Sequence, residues 1–91
     1  MREKRFTIEN KLGLHARPAS LFVQAGVLLK SSVKVKKSAD GEEIIVNGKS
    51  VMGLMMLAAA CGEKVTVVLE GPDEDDGMKV FEELFARNFD E

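Results

Sequence analysis

His15, Arg17 and Pro18 are the residues of this sequence best suited to chemistry, and they lie close together in the chain. His15 is the only histidine, and a neutral imidazole is a competent nucleophile near neutral pH. Pro18 leads into an amphipathic stretch, and proline is favoured in the first turn of a helix. Arg17 adds a permanent cation with forked donors. Because a helix N-terminus also attracts anions, this stretch predicts a site that holds a phosphoryl group on His15.

Length and composition limit what else the chain can do. The 91 residues are enough for one small domain, which we place over residues 1–91. The net charge is −2 with both signs interspersed, which argues against the strong basic patch of a nucleic-acid-binding protein. No apolar stretch reaches the ~18–20 residues of a membrane span, and no signal-peptide pattern follows the charged N-terminus. We therefore expect a cytoplasmic protein that inserts in no membrane and binds no nucleic acid.

The lysines of residues 34–37 and the single cysteine have plain structural interpretations. Lys34, Lys36 and Lys37 form the only basic cluster, and we expect them on the solvated side of a strand. Cys61 lies in an alanine-rich apolar stretch and is expected to be a small buried hydrophobe. One cysteine and one histidine provide neither a disulfide framework nor a metal cluster. We predict no metal site and no cofactor.

Alternating and amphipathic segments predict the order strand, helix, strand, strand, helix, strand, helix. We expect strands at residues 5–8, 33–36, 44–46 and 65–69, and helices at residues 19–29, 50–60 and 73–87. Asp40-Gly41 is a hairpin signal, but it leaves open whether the connection is only these two residues or the longer stretch 38–43. One apolar face per strand implies a sheet with helices on one side and water on the other.

The second helix combines a capping serine with an almost entirely apolar surface. Ser50 is a good N-cap residue, and Gly62 is expected to end the segment. A small domain cannot bury such a helix on all sides, so we expect Val51, Met52 and Met55 to form an exposed, adaptable binding surface. The alternative, that all of these side chains lie in the core, stays open.

The last helix begins at an acidic cluster. Asp73 is a plausible N-cap, and the acidic residues that follow it suit the helix dipole better than they suit a cation site. The chain from Asn88 onward is expected to fray.

The stretch around His15 resembles the active-site motif of the HPr family, the histidine-containing phosphocarriers of the bacterial phosphotransferase system. The matching residues are Gly13-Leu14-His15-Ala16-Arg17-Pro18-Ala19. A second stretch resembles that family's regulatory serine segment, Lys49-Ser50-Val51-Met52-Gly53. Length and element order also match over nearly the whole chain. The resemblance implies an α+β fold, an open-faced β-sandwich with a four-stranded antiparallel sheet and three helices on one face.

The resemblance also implies a function. His15 would accept a phosphoryl group from phosphorylated enzyme I, charged from phosphoenolpyruvate, and pass it to a histidine of a sugar-specific enzyme IIA. Arg17 would hold phosphate oxygens, helped by the backbone amides of Ala16 and Arg17. The protein would be a carrier in a relay rather than an independent enzyme, and we expect a monomer.

Two further roles follow from the same resemblance. Val51, Met52 and Met55 would be the docking surface shared by the partners. Ser50 would be phosphorylated by an HPr kinase/phosphorylase, although a capping serine needs no regulatory role.

Two functions from other classes stay open. The chain could be a regulatory binding protein whose phosphorylation at His15 or Ser50 only selects its partner. It could also be a structural domain in which His15 is incidental.

Overall fold

The computed structural model describes residues 1–90 and contains four strands and three α-helices. Their order is β1 (Arg2–Thr7), α1 (Ala16–Gly26), β2 (Ser32–Ala39), β3 (Glu42–Asn47), α2 (Val51–Met56), β4 (Lys64–Glu70) and α3 (Glu74–Ala86). The strands form one antiparallel sheet in the order β1-β4-β2-β3. The predicted α+β open-faced sandwich is thereby confirmed.

The core lies between one face of the sheet and the three helices. Alternation in the central strands β2 and β4 directs every second side chain to that face, as period-2 patterning requires. The buried apolar strand residues are Val33, Val35, Val65, Val67 and Leu69. On the helix side, the rings of Phe22 and Phe81 stack with centroids 4.2 Å apart and join α1 to α3.

The hairpin between β2 and β3 is tight. Ala39 pairs with Glu42, so the connection is only Asp40 and Gly41, both with positive φ of 51° and 81°. Such a pair is typical of the type I′ turn, whose twist matches that of the flanking strands. The longer connection over residues 38–43 is therefore wrong.

Helix α1 begins and ends earlier than predicted. It was expected at residues 19–29 with Leu28 inside, but it ends at Gly26, and Leu28 is exposed. After Gly26 the backbone tightens, with Leu29 N–H donating to Gly26 C=O at 3.1 Å. The next two amides, of Lys30 and Ser31, then donate to the carboxylate of Asp73 at 2.8 and 2.9 Å. These two hydrogen bonds turn the chain away from the helix axis and into β2.

Asp73 has a different role from the one predicted. It occupies the N-cap position of α3, but its side chain makes no capping hydrogen bond. Instead it binds the backbone before β2 and accepts from the hydroxyl of the fully buried Ser31. The acidic residues that suit the dipole are Glu74, Asp75 and Asp76 in the first turn of α3. Asp73 therefore ties α3 to the α1–β2 connection.

Helix α2 is shorter than predicted and Cys61 is exposed. The helix ends at Met56, and Ala58 has a positive φ of 49°. The chain then crosses the surface to β4, which leaves the thiol of Cys61 in solvent. The expectation of a buried cysteine is wrong because it assumed that the apolar run continued as helix.

The prediction of fraying from Asn88 onward is wrong for residues 88–90, and Glu91 lies outside the described residues. Residues Asn88–Asp90 form a short turn with positive φ throughout. Phe89 is only 1% exposed and packs edge-on against Phe85, with centroids 4.9 Å apart. The side-chain amide of Asn10 donates to the carbonyl of Asn88 at 2.8 Å. Residues 88–90 are thus held against the loop that precedes His15.

The Asp73 interaction predicts a pH dependence of stability. Hydrogen bonds from the Ser31 hydroxyl and the Lys30 amide lower the pKa of Asp73 to about 2 from its usual 3.8. The native state therefore favours the ionised carboxylate, and this stabilisation is present above pH 3.8 and lost as the pH falls towards about 2. We expect Asp73→Asn to lower the free energy of unfolding at neutral pH and to make its decline in acid shallower. Urea titrations followed by circular dichroism across this range would measure both effects.

The matched control is Asp76→Asn, which removes an exposed carboxylate from the same helical turn. This variant should keep the acid dependence of the unaltered chain. If the curve of Asp73→Asn instead ran parallel to that of the unaltered chain, Asp73 would not be the group responsible.

Candidate functional site

His15 lies at the N-cap of α1. Its backbone is extended, with φ −82° and ψ −172°, and its carbonyl accepts the first helical hydrogen bond, from Ala19 N–H at 3.0 Å. The half-buried side chain forms part of a surface cleft together with Leu12 and Asn88. The histidine is thus held at the point where the loop becomes helix.

Pro18 is the third residue of α1 rather than the first. It is still in the first turn, where no N–H is needed. Since Pro18 has no N–H and Ala19 donates to His15, the first turn leaves two backbone donors, those of Ala16 and Arg17. Both residues are exposed. These are the amides that the resemblance assigned to the phosphate.

Arg17 lies on the solvent side of this helix end. It borders a shallow depression that also contains Phe89 and Asp90. Asp90 pairs with Arg87 at 3.1 Å, and within residues 1–90 no carboxylate forms an ion pair with Arg17. Its guanidinium is therefore available for an external anion next to the two amides.

The loop before His15 is fixed by the chain that follows α2. Leu14 N–H donates to the carbonyl of Ala59 at 2.9 Å, and Leu14 is buried. Gly13 has φ 72°, and a Cβ there would lie 2.4 Å from the same carbonyl. Only glycine suits this close approach. Residues 13 and 14 thus anchor His15 from its N-terminal side.

Ser50 is the N-cap of α2, as predicted. Its Oγ accepts from Gly53 N–H at 3.1 Å, and its carbonyl accepts from Leu54 N–H at 3.0 Å. The residue is half-buried. The capping interaction alone accounts for a serine at this position.

The exposed surface of α2 differs in part from the predicted one. Met52 and Met55 are 75% and 46% exposed, whereas Val51 is half-buried against the core. Met56, which was not predicted, is 74% exposed. It lies one helical turn after Met52, so i, i+4 spacing could have identified it. We call Met52, Met55 and Met56 the methionine patch.

Lys37 and Glu63 form an interaction that sequence reasoning missed. Lys37 was expected in solvent, but it is only 9% exposed, and its Nζ pairs with Glu63 at 3.1 Å. The sequence indicates this burial, because Lys37 is two residues beyond the buried Val35 and so shares its face of β2. Hydrogen bonds from the Ala60 amide and from Lys37 lower the pKa of Glu63.

In the part of the chain that the structure describes, no helix is long and apolar enough to cross a membrane.

Known proteins resemble this chain over most of its length. A family model described as the PTS HPr component phosphorylation site matches residues 2–87. The phosphocarrier protein HPr of Treponema pallidum is 41% identical, with 97% of this chain and 96% of the relative covered. A crystal structure of HPr from Thermoanaerobacter tengcongensis superposes with a TM-score of 0.87 and 41% identity, covering 100% of this chain and 98% of that one.

A catabolite repression protein is also similar. The crystal structure of Crh, a catabolite repression protein of Bacillus subtilis described as a domain-swapped dimer, gives a TM-score of 0.62 and 39% identity. The alignment covers 97% of this chain and 92% of that one. The family model and the relatives together show that the chain belongs to the HPr family of the phosphotransferase system.

Proposed function

We propose that the chain is a phosphocarrier that accepts a phosphoryl group on His15 from phosphorylated enzyme I and passes it to a histidine of a sugar-specific enzyme IIA. Phosphoenolpyruvate is the original donor. The single observation that supports this best is the position of His15 at the N-cap of α1, immediately before two backbone donors and Arg17. Membership of the HPr family agrees with it.

The chemistry needs little besides positioning and charge stabilisation. A neutral ring nitrogen of His15 uses its lone pair to form a P–N bond to the phosphorus of the donor phosphohistidine. The donor's P–N bond breaks, and its electron pair returns to the donor imidazole. Because the product is again a phosphohistidine, the group keeps its transfer potential and can move on to enzyme IIA by the same exchange.

The N-terminus of α1 supplies the charge stabilisation. The amides of Ala16 and Arg17 and the positive end of the helix dipole favour an anion next to His15. The Arg17 guanidinium adds charge-assisted hydrogen bonds, which are stronger than hydrogen bonds between neutral groups. No cofactor or metal enters this scheme, and the protein is a carrier rather than an independent enzyme.

The methionine patch is proposed as the main part of the docking surface for enzyme I and enzyme IIA. Val51, the third predicted residue, contributes from its half-buried position. Methionine side chains are flexible and polarisable, so one surface can adapt to several partners. We also propose that the chain works in the cytoplasm as a monomer of one domain.

Ser50 is proposed as a site for an HPr kinase/phosphorylase. A phosphoserine carries roughly −1.5 to −2 charges at neutral pH. At the N-terminus of α2 the helix tolerates this charge, but the phosphate, which adjoins the methionine patch, then repels an acidic partner. Phosphorylation would therefore weaken docking without unfolding the helix.

A second candidate function is a regulatory binding protein that carries no sugar-transport phosphate. The similarity to Crh, a catabolite repression protein of Bacillus subtilis, favours this alternative. The two functions differ in onward transfer, since only a phosphocarrier of the transport relay passes its phosphoryl group to an enzyme IIA histidine.

Intact mass spectrometry tests the proposal directly. The chain would be incubated with enzyme I, Mg²⁺ and phosphoenolpyruvate, beside a His15→Ala control. We expect one added phosphoryl group that is lost in acid, as a phosphoramidate is, and that is absent from the control. No added mass with an enzyme I that phosphorylates a known HPr would contradict the proposal.

Arg17→Ala should slow phosphorylation of His15 without disturbing the fold. Its side chain is exposed, so the circular dichroism spectrum should not change. Loss of a charge-assisted hydrogen bond to the transferring group should lower the single-turnover rate by about tenfold to hundredfold. Rapid quenching of the reaction with phosphorylated enzyme I would measure the rate.

Arg5→Ala is the matched control, because Arg5 is also an exposed arginine but lies on β1. It should transfer at the unaltered rate. Equal rates for Arg17→Ala and the unaltered chain would remove Arg17 from the mechanism.

A further inference from the structure

Lys37 is a buried cation with a complete set of partners. Removing an ammonium group from water is unfavourable unless its donors are satisfied. A lysine has three donors, and Lys37 Nζ contacts the carbonyls of Leu57 and Ala58 at 3.0 and 3.1 Å and Glu63 Oε1 at 3.1 Å. Each of the three donors of Lys37 therefore has an acceptor in the folded protein.

These contacts hold the chain between α2 and β4. Leu57 is the C-cap of α2, so Lys37 places a positive charge at the negative end of that helix. Glu63 lies just before β4 and also accepts from the amide of Ala60 at 2.6 Å. Lys37 and Glu63 together fix both ends of residues 57–63, which we call the α2–β4 loop.

The α2–β4 loop in turn holds the segment that carries His15. Within this loop, Ala59 accepts the hydrogen bond from Leu14 N–H, and the space beside that carbonyl admits only a glycine at position 13. A second contact joins Ile8, at the end of β1, to the amide of Gly62 at 2.7 Å. The residue bound to Leu14 thus lies between the groups that Lys37 and Glu63 hold.

We infer that Lys37 is a positioning residue for His15. It acts through Glu63, the α2–β4 loop and Leu14, and it keeps the imidazole in register with the free amides of α1. The kinetic consequence rests on the proposed phosphocarrier function. The same contacts join the methionine patch to the His15 segment, so that a partner docked on α2 meets the histidine at a fixed position.

The test compares Lys37→Met with Lys36→Met. Methionine keeps the unbranched apolar stem of Lys37 and removes its donors. Lys36 is the next residue on β2, but it faces the opposite side of the sheet and pairs with Glu3 at 3.3 Å. Three quantities are measured for each variant: the hydrogen-exchange rate of the Leu14 amide, and the kcat and KM of its phosphorylation with phosphorylated enzyme I as the donor.

We expect Lys37→Met to increase the exchange rate of the Leu14 amide by about tenfold, because local opening becomes easier. It should lower kcat by about tenfold, since small misplacements of a reacting group are costly. The KM should change by less than about twofold, because the docking residues are unaltered. Lys36→Met should leave all three quantities unchanged.

Glu63→Gln keeps the test decisive if Lys37→Met does not fold. The glutamine retains the size of the side chain and leaves the two carbonyl contacts of Lys37 in place, so a smaller change in the same direction is expected. The inference is overturned if a folded variant keeps either the Leu14 exchange rate or kcat at the unaltered value, or if Lys36→Met shows equal losses. Failure of the proposed function would be recognised separately, because the unaltered chain would then accept no phosphoryl group. The exchange rate of the Leu14 amide would still test whether Lys37 holds the hydrogen bond from Leu14 to Ala59.

Discussion

The site depends on one feature of helix geometry, the unsatisfied backbone amides at the start of α1. Every α-helix leaves its first N–H groups without intrahelical partners, and here Pro18 removes one while His15 accepts from Ala19. The amides of Ala16 and Arg17 remain, next to the imidazole. The proposed carrier function uses this local surplus of donors rather than an enclosed pocket. A chain of 91 residues can therefore perform it on its surface.

The rest of the fold holds that helix end in place from both sides. The central strands and the stacked rings of Phe22 and Phe81 fix the body of α1 on the sheet. Asp73 fixes the chain beyond its C-terminus, and the contact of Leu14 with Ala59 fixes the segment before its N-terminus. The position of His15 is thus fixed by elements that are distant in sequence.

Much of this could be predicted from patterns of local origin. Alternation identified the strands, and Ser50 was recognised as the cap of α2, because these features depend on neighbouring residues. The C-terminal ends of α1 and α2 could not be predicted, since the chain that follows each helix is bound by Asp73 or by Lys37, which are far away in sequence. The burial of Lys37 could have been predicted, because Lys37 lies two residues after Val35 on the same face of β2. Its charge instead favoured a position in solvent. The chemistry of the stretch around His15 could be predicted from its residue types, whereas the proteins that exchange the phosphoryl group with it were implied only by the resemblance to the HPr family.

The most direct test of this account is to observe the amides of Ala16 and Arg17 by ¹H–¹⁵N NMR before and after His15 is phosphorylated. If these amides hold the phosphoryl group, their proton resonances should move downfield by more than those of any other residue, and their exchange with solvent should slow. The shifts should reverse when the phosphoramidate is hydrolysed in acid. Phosphorylation of His15 that leaves both amide resonances in place would contradict the central claim, because the helix N-terminus would then have no part in holding the group.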